Sequence, residues 1–268
     1  MIPKVHAFLG LTKSFPRRGQ RRAEPEPMPE QKRAYELSDQ QKDIIQHEPT
    51  SPIVVAAAAG SGKTSTLVEY AQAWPDHTFL YLAFNAAIKK EAERVMPRNV
   101  TVMTTHGLAY RSLDIRRIAR DNLKSNLNRD DINEVAEHLG LENFMSSLML
   151  RGITHTLKQF IASDDNEVKF EHMIGFDWRT EDKEPPRNAI TIVKPIINSL
   201  MDFQSGDKPF THDMYLKAFS SDYQLLDGKY SALFVDEGQD TNGSFLGFLK
   251  RLKTPVILVG DSYQAIYG

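Results

Sequence analysis

There is no cysteine in this chain. Disulfides, thiolate metal sites and a cysteine nucleophile are thereby excluded, and the composition fits a reducing interior. No apolar run reaches the roughly 18 residues that mark a membrane-spanning helix, so no membrane partner is expected. The eight histidines never recur at a paired metal-ligand spacing such as H-x-x-x-H and read as ordinary core and surface residues. Net charge is only −2, which gives no global positive field to draw in nucleic acid. No secretory signal is present.

What is there suits a soluble globular protein with a real core. The chain has 268 residues, 41% of them apolar and 25% charged, enough for one large domain or two ordinary ones. Its charge is uneven. Residues 1–33 hold eight Lys or Arg against three Glu, a local +5, which leaves −7 for the remainder. The first 35 residues also carry five prolines and the run "PRRGQRRAEPEPMPEQKR". Such a composition resists packing and reads as a mobile basic arm. The first 22 residues lack acids, as a mitochondrial presequence does, but they hold one Ser, and Pro3 and Pro16 interrupt any amphipathic helix. A plain tail is the preferred reading, with a bacterial or viral cytoplasm or a nucleus as the compartment.

From position 36 apolar strand runs alternate with helical periodicity. "LSDQQKDIIQ" (37–46) reads as a helix capped by Ser38 or Asp39. "PIVVAAA" (52–58) reads as a buried strand, 63–73 as a helix, "TFLYLAF" (78–84) as a strand and "AAIKKEAERV" (86–95) as a helix. "NVTVMTT" (99–105) is a third strand, and "HGLAYRSL" (106–113) opens another helix. Residues 114–225 lack strong strand runs and read as a mainly helical insertion, with a polar, loop-like stretch at 163–188. "SALFVDE" (231–237), a helix near 244–252 and "PVILVGD" (255–261) resume the alternation. This order predicts an α/β fold, a parallel sheet with helices on both faces.

"VVAAAAGSGKTST" (54–66) carries the second half of the phosphate-loop signature G-x-x-x-x-G-K-[ST], with Ala57 where the first glycine stands. Gly60 and Gly62 let backbone N–H groups approach phosphate. Lys63 neutralises the β/γ oxygens, Thr64 offers a hydroxyl to Mg²⁺, and the following helix aims its N-terminus at the anion. "LFVDEGQD" (233–240) ends an apolar strand in two carboxylates, at the sheet edge where α/β proteins bind ligands. Asp236 is placed to hold Mg²⁺ through water, and Glu237 to orient and deprotonate the attacking water. Asp is common at any strand-to-turn boundary, so a single acid would mean little; D-E-x-Q-D downstream of a phosphate loop is far more specific. "VILVGDSYQAIYG" (256–268) repeats the geometry, with Asp261 and Gln264 at the same edge, Gln264 able to reach a γ-phosphate, and Tyr263 and Tyr267 offering aromatic faces.

The series "LSDQQ", "AAGSGKT", "LAFNAAIKKEA", "TTHGLAY", "VDEGQDT" and "VGDSYQAIYG" resembles the ATP-binding half of UvrD-like superfamily 1 DNA helicases. In that family Ala is common at the first loop position. "THDMYLKAFSSDYQLL" and "AFNAAIKKEAERV" resemble the F-box DNA helicase branch in particular. The resemblance covers residues 36–113 and 209–268. It implies a RecA-like P-loop NTPase core, 36–113 with 226–268, carrying the inserted helical subdomain 114–225. It implies that ATP lies against Gln41, which reads adenine, and against Ala59, Gly60, Ser61, Gly62, Lys63, Thr64 and Ser65. Thr64 and Asp236 are the implied Mg²⁺ ligands, and Glu237, Gln264 and Lys63 the catalytic set. Phe84, Asn85, Thr104, His106 and Tyr267 are the implied contacts to single-stranded DNA, with Tyr267 stacking on a base. Motif Ia is one residue shorter than the common F-T-N form, and Gly107 stands where Ser is usual.

The implied activity is ATP-dependent 3′–5′ movement on single-stranded DNA with strand separation, in repair or replication-fork processing. The chain stops at Gly268, before the second RecA-like domain, its arginines and its adenine-stacking tyrosine. On that reading these 268 residues bind Mg-ATP weakly, scarcely hydrolyse it and do not unwind duplex. A nucleotide- and DNA-binding module without unwinding activity is one alternative, and a P-loop RNA helicase another.

Overall fold

Five short apolar segments pair side by side into one parallel sheet. The computed structural model describes residues 36–56, 62–119, 122–180, 184–222, 226, 228–236 and 243–260. The strands are β1 (Ile53–Ala56), β2 (Phe79–Ala83), β3 (Val100–Thr104), β6 (Ala232–Asp236) and β7 (Val256–Gly260), in the order β1-β7-β6-β2-β3. Every neighbouring pair is parallel; Tyr81 stands opposite Phe234, Ala83 opposite Thr104 and Ala56 opposite Gly260. All five strands therefore end on one edge, at Ala56, Ala83, Thr104, Asp236 and Gly260.

Strand side chains alternate between faces, and the core divides accordingly. Phe79, Tyr81, Ala83, Ala232, Phe234, Ile257 and Val259 share one apolar cluster with Leu67, Tyr70 and Ala71 of α2 (Lys63–Ala73) and Ala92 of α3 (Ala86–Val95). Leu80, Leu82, Leu233, Val235, Val256 and Leu258 join the other, with Phe245, Phe248 and Leu249 of α10 (Gly243–Arg251). Right-handed crossovers require this split. The connections β1–α2–β2 and β2–α3–β3 run towards β3, whereas β6–α10–β7 runs back. α1 (Asp39–Gln46) lies on α2, and α4 (Thr105–Ser112) follows β3.

Between β3 and β6 lie α5 (Ile115–Ala119), α6 (Arg129–His138), α7 (Ser147–Ala162), α8 (Ile190–Met201) and α9 (His212–Ser220). The apolar faces of α6 to α9 belong to the same cluster as the α10 side of the sheet, so one core runs from the strands into the insertion. Two features differ from the sequence reading. A two-residue pairing, β4 (Leu123–Lys124) with β5 (Phe210–Thr211), ties the ends of the insertion together; strands this short carry no periodicity to read. The polar stretch 163–188 contains a 3₁₀ turn at Phe170–Met173 and buries Val168, Met173 and Trp178. The Trp178 ring lies against α7 at Gly152, where a Cβ would come within 2.2 Å of it.

A buried lysine anchors that stretch. Lys217 of α9 is 2% exposed. Its Nζ donates to the carbonyls of Ser163 at 2.6 Å and Asp165 at 2.7 Å and sits 4.7 Å from the Phe160 ring centroid. Arg251 at the end of α10 donates to both Asp164 carboxylate oxygens, at 2.6 and 2.8 Å. Burial pushes the Lys217 pKa down to about 8, only partly opposed by the Asp164 and Asp165 carboxylates. Below that pH the lysine is protonated in folded and unfolded chain alike. Between about 8 and its ordinary 10.5 the unfolded chain keeps a proton that the folded one has released, so this group makes stability rise with pH. Urea midpoints at pH 8 and pH 10 should show that rise reduced in Lys217→Met relative to the parent; an identical pH difference in the two proteins would refute the assignment.

Candidate nucleotide and nucleic-acid site

α1 begins with a capping box. Ser38 Oγ accepts from the Gln41 backbone N–H at 3.2 Å, and Gln41 Oε1 accepts from the Ser38 N–H at 3.0 Å. "SDQQ" is a sequence form that makes this cap. The same glutamine reaches α2: its Nε2 donates to Thr66 Oγ1 at 2.8 Å, and Thr66 Oγ1 donates to the Gly62 carbonyl at 3.0 Å. A primary amide has two N–H donors and two oxygen lone pairs. Capping and the Thr66 bond take one of each, so the chemistry needed to read a purine edge is not exhausted by them. Farther along α1, Tyr70 donates to the His47 carbonyl at 2.7 Å and Trp74 Nε1 to that of Ile45 at 3.1 Å. α1 is thus pinned along the side of α2. Burial raises the Tyr70 pKa to about 12, which keeps that hydroxyl a donor.

Gly62 is the N-cap of α2 and adopts φ +83°, with no side-chain hydrogen bond capping the helix. The left-handed region costs residues with a Cβ roughly 1–2 kcal/mol, and a Cβ here would also stand 3.2 Å from Gln41 Nε2. Glycine alone fits without strain. Gly62 has no side chain to cap α2, and the first N–H groups of this eleven-residue helix stand at its positive end. Lys63 and Thr64 are its first two residues, and neither they nor Ser65 are fully exposed. A helix start of this kind can cradle a phosphate.

Asp236 ends β6 and is 9% exposed. Alternation with Ala232 and Phe234 puts it on the α2 side of the sheet. Its Oδ2 accepts from the Tyr81 hydroxyl at 2.7 Å. A P-loop magnesium site needs one or two carboxylates, a hydroxyl, phosphates and water. Thr64 at the start of α2 and Asp236 at the strand edge are the protein's share of that donor set, and the residues present fit it. Ala59, Gly60, Ser61, Glu237, Asp261, Tyr263, Gln264 and Tyr267 lie outside the described residues.

Phe84 and Asn85 follow β2 directly, and Thr104 and His106 sit where β3 passes into α4, so the Ala83–Thr104 register sets the two pairs side by side. Phe84 is 45% exposed, unusual for so large an apolar side chain at a strand end. Asn85 and Thr104 also have structural work. Asn85 Oδ1 caps α3 by accepting from the Ile88 N–H at 2.9 Å, and Thr104 Oγ1 caps α4 by accepting from Gly107 N–H at 3.0 Å. A Cβ on residue 107 would lie 2.9 Å from that Thr104 oxygen, so Gly107 fits the cap closely. His106 Nε2 lies 3.3 Å from Asp213 Oδ1 at the start of α9, and this contact is the first cause of a lowered Asp213 pKa.

Sequence reasoning missed Thr66, Tyr81 and Asp213. For Tyr81 a signal existed: it is the one hydroxyl in the apolar run "FLYLA", and a buried tyrosine oxygen usually has a partner.

The family model of the UvrD/REP helicase N-terminal domain matches residues 37–268. The chain belongs to that family. It is 33% identical over 247 residues to F-box DNA helicase 1 of Gallus gallus, covering 87% of this chain and 24% of that protein. It is 30% identical over 251 residues to F-box DNA helicase protein 1 of Schizosaccharomyces pombe, covering 87% and 28%. A mitochondrial ATP-dependent DNA helicase of Saccharomyces cerevisiae is 23% identical over 256 residues, covering 83% and 32%. The chain thus spans about a quarter to a third of the length of these relatives. The five-stranded parallel sheet flanked by helices is that of a UvrD-type RecA-like domain. Among the described residues no helix is long and apolar enough to cross a membrane.

Lys63 is the first residue of α2, a cation beside the helix's positive end. Lys63→Ala should abolish Mg-ATP binding by calorimetry while leaving the melting temperature within a degree or two. Unchanged nucleotide affinity would place the nucleotide elsewhere.

Proposed function

We propose that this chain is the ATP- and single-stranded-DNA-binding half of a superfamily 1 DNA helicase motor, moving 3′–5′ in repair or replication-fork processing. Residues 36–113 with 226–268 are the ATP-binding unit, and 114–225 the inserted subdomain. The observation that carries this reading is the Gly62-led start of α2, with φ +83° and Lys63 and Thr64 as its first residues, on the same side of the sheet as buried Asp236. The names of the relatives, all DNA helicases and one of them ATP-dependent, support the substrate class.

In this reading Gln41 holds the adenine edge, and the α2 N–H groups, Lys63, Thr64 and Ser65 hold the phosphates, together with Ala59, Gly60, Ser61 and Gly62. Thr64 and Asp236 hold Mg²⁺, which when bound neutralises charge on the β and γ oxygens. Glu237 accepts the proton of a water whose oxygen attacks the γ-phosphorus; the bond from that phosphorus to the β–γ bridging oxygen breaks and ADP leaves. Lys63 stabilises charge on the phosphoryl oxygens, and Gln264 contacts the γ-phosphate and links its loss to the DNA edge. The DNA contacts in this reading are Phe84, Asn85, Thr104, His106 and Tyr267. Stacking on aromatic faces is worth about 1–3 kcal/mol per base and tolerates any sequence. It suits a motor that must not read bases, and it lets a chain of net charge −2 hold DNA through local contact.

The neighbouring alternative is a motor on RNA. Fluorescence anisotropy with oligo-dT and oligo-U separates the two. Preferential binding of the DNA is expected, and Phe84→Ala should weaken it by about 1–3 kcal/mol, roughly a factor of 5 to 150. Equal or tighter binding of RNA, or a Phe84→Ala variant with parental affinity, contradicts the reading.

A further inference from the structure

We propose that Tyr81 is a positioning residue for the nucleotide-bound magnesium, acting through Asp236. The proposal rests on the reading of Asp236 as a magnesium ligand given above. Tyr81 is 1% exposed, and its hydroxyl donates to Asp236 Oδ2 at 2.7 Å across 155 residues of sequence.

The strand register explains why a tyrosine stands there. β2 and β6 are neighbours, Tyr81 faces Phe234 across the ladder, and Asp236 is two residues nearer the carboxyl edge on the same side. Only a long side chain with a terminal donor spans that offset. Serine or threonine is too short. Phenylalanine would fill the same apolar cluster as Leu67, Tyr70 and Phe234 but bring no donor. Both partners gain from the bond, since a buried hydroxyl and a buried carboxylate are each costly without one. A bond from a hydroxyl to a carboxylate at this length is among the stronger side-chain hydrogen bonds. Its consequence is directional: one carboxylate oxygen is held from inside the sheet, which fixes the rotation of the group at the edge where α2 begins. Metal ligands held in this way typically lose about 10- to 100-fold in metal affinity when the supporting group is removed.

The test uses the 268-residue chain and a fluorescent N-methylanthraniloyl ATP, titrated in EDTA and then in rising Mg²⁺, for the parent, Tyr81→Phe and Asp236→Asn. Tyr81→Phe removes one oxygen and keeps the ring, so a cooperative unfolding transition at a modestly lowered melting temperature and parental affinity in EDTA are expected. The Mg²⁺ concentration giving half the metal-dependent gain in affinity should rise about 10-fold or more, and Asp236→Asn should shift it at least as far. A parental Mg²⁺ dependence in Tyr81→Phe, with a shift in Asp236→Asn, overturns the role of Tyr81 and leaves the ATP-site reading standing. Equal losses in EDTA and Mg²⁺ also overturn it, because Tyr81 then supports the pocket and not the metal ligand. Parental behaviour in both variants removes Asp236 as a ligand and takes the proposal with it.

Discussion

The start of a helix gathers N–H groups at the positive end of its dipole, which favours an anion there. α2 presents such a start directly after a glycine, and several contacts hold it in place. Gly62 turns the chain into it through a backbone conformation that a Cβ would strain. Thr66 ties the Gly62 carbonyl to Gln41, and Tyr70 and Trp74 fasten the rest of α1 along α2. Asp236 ends its buried strand at the same edge of the sheet. A ligand site built on a rigid sheet edge is more exact than one built on loops alone.

The same edge brings the two ligands of the proposed motor close together. β2 lies between β6, which ends in Asp236, and β3, which leads into Thr104 and His106. Tyr81 and Phe84 are three residues apart on that one strand and its exit. One is buried against the acid of the nucleotide side; the other is half exposed at the proposed DNA side. A shift of β2 along its length would be felt at both. The insertion is part of this arrangement because its core is continuous with the α10 face of the sheet. Lys217 and Arg251 fasten the 163–165 segment to α9 and α10, and α10 follows directly from the chain that leaves Asp236.

Local signals were legible in the sequence. The alternating apolar runs fixed all five strands of the sheet to within one or two residues where they are described, and the helices 63–73 and 86–95 lie where periodicity puts them. Ser38 as a cap, Gly62 at the loop end and Asp236 at a strand edge each follow from residue type and spacing. What stayed hidden depends on pairs distant in sequence. Strand order decides that Tyr81 meets Asp236, and nothing local to "FLYLA" reveals that order. Gln41 reads as a purine contact by resemblance, yet its cap and its bond to Thr66 appear only once α1 lies on α2. The polar look of 163–188 concealed Trp178, because a single aromatic among charged residues has no period, and the two-residue β4–β5 pairing has none either.

Hydrogen exchange with mass spectrometry, with and without Mg-ATPγS, tests most directly the claim that phosphate caps α2. Slowed exchange is predicted at amides 62–66 and 38–41, with the surface helix α6 unchanged. Unaltered exchange at 62–66 under conditions where calorimetry shows saturation would contradict the account.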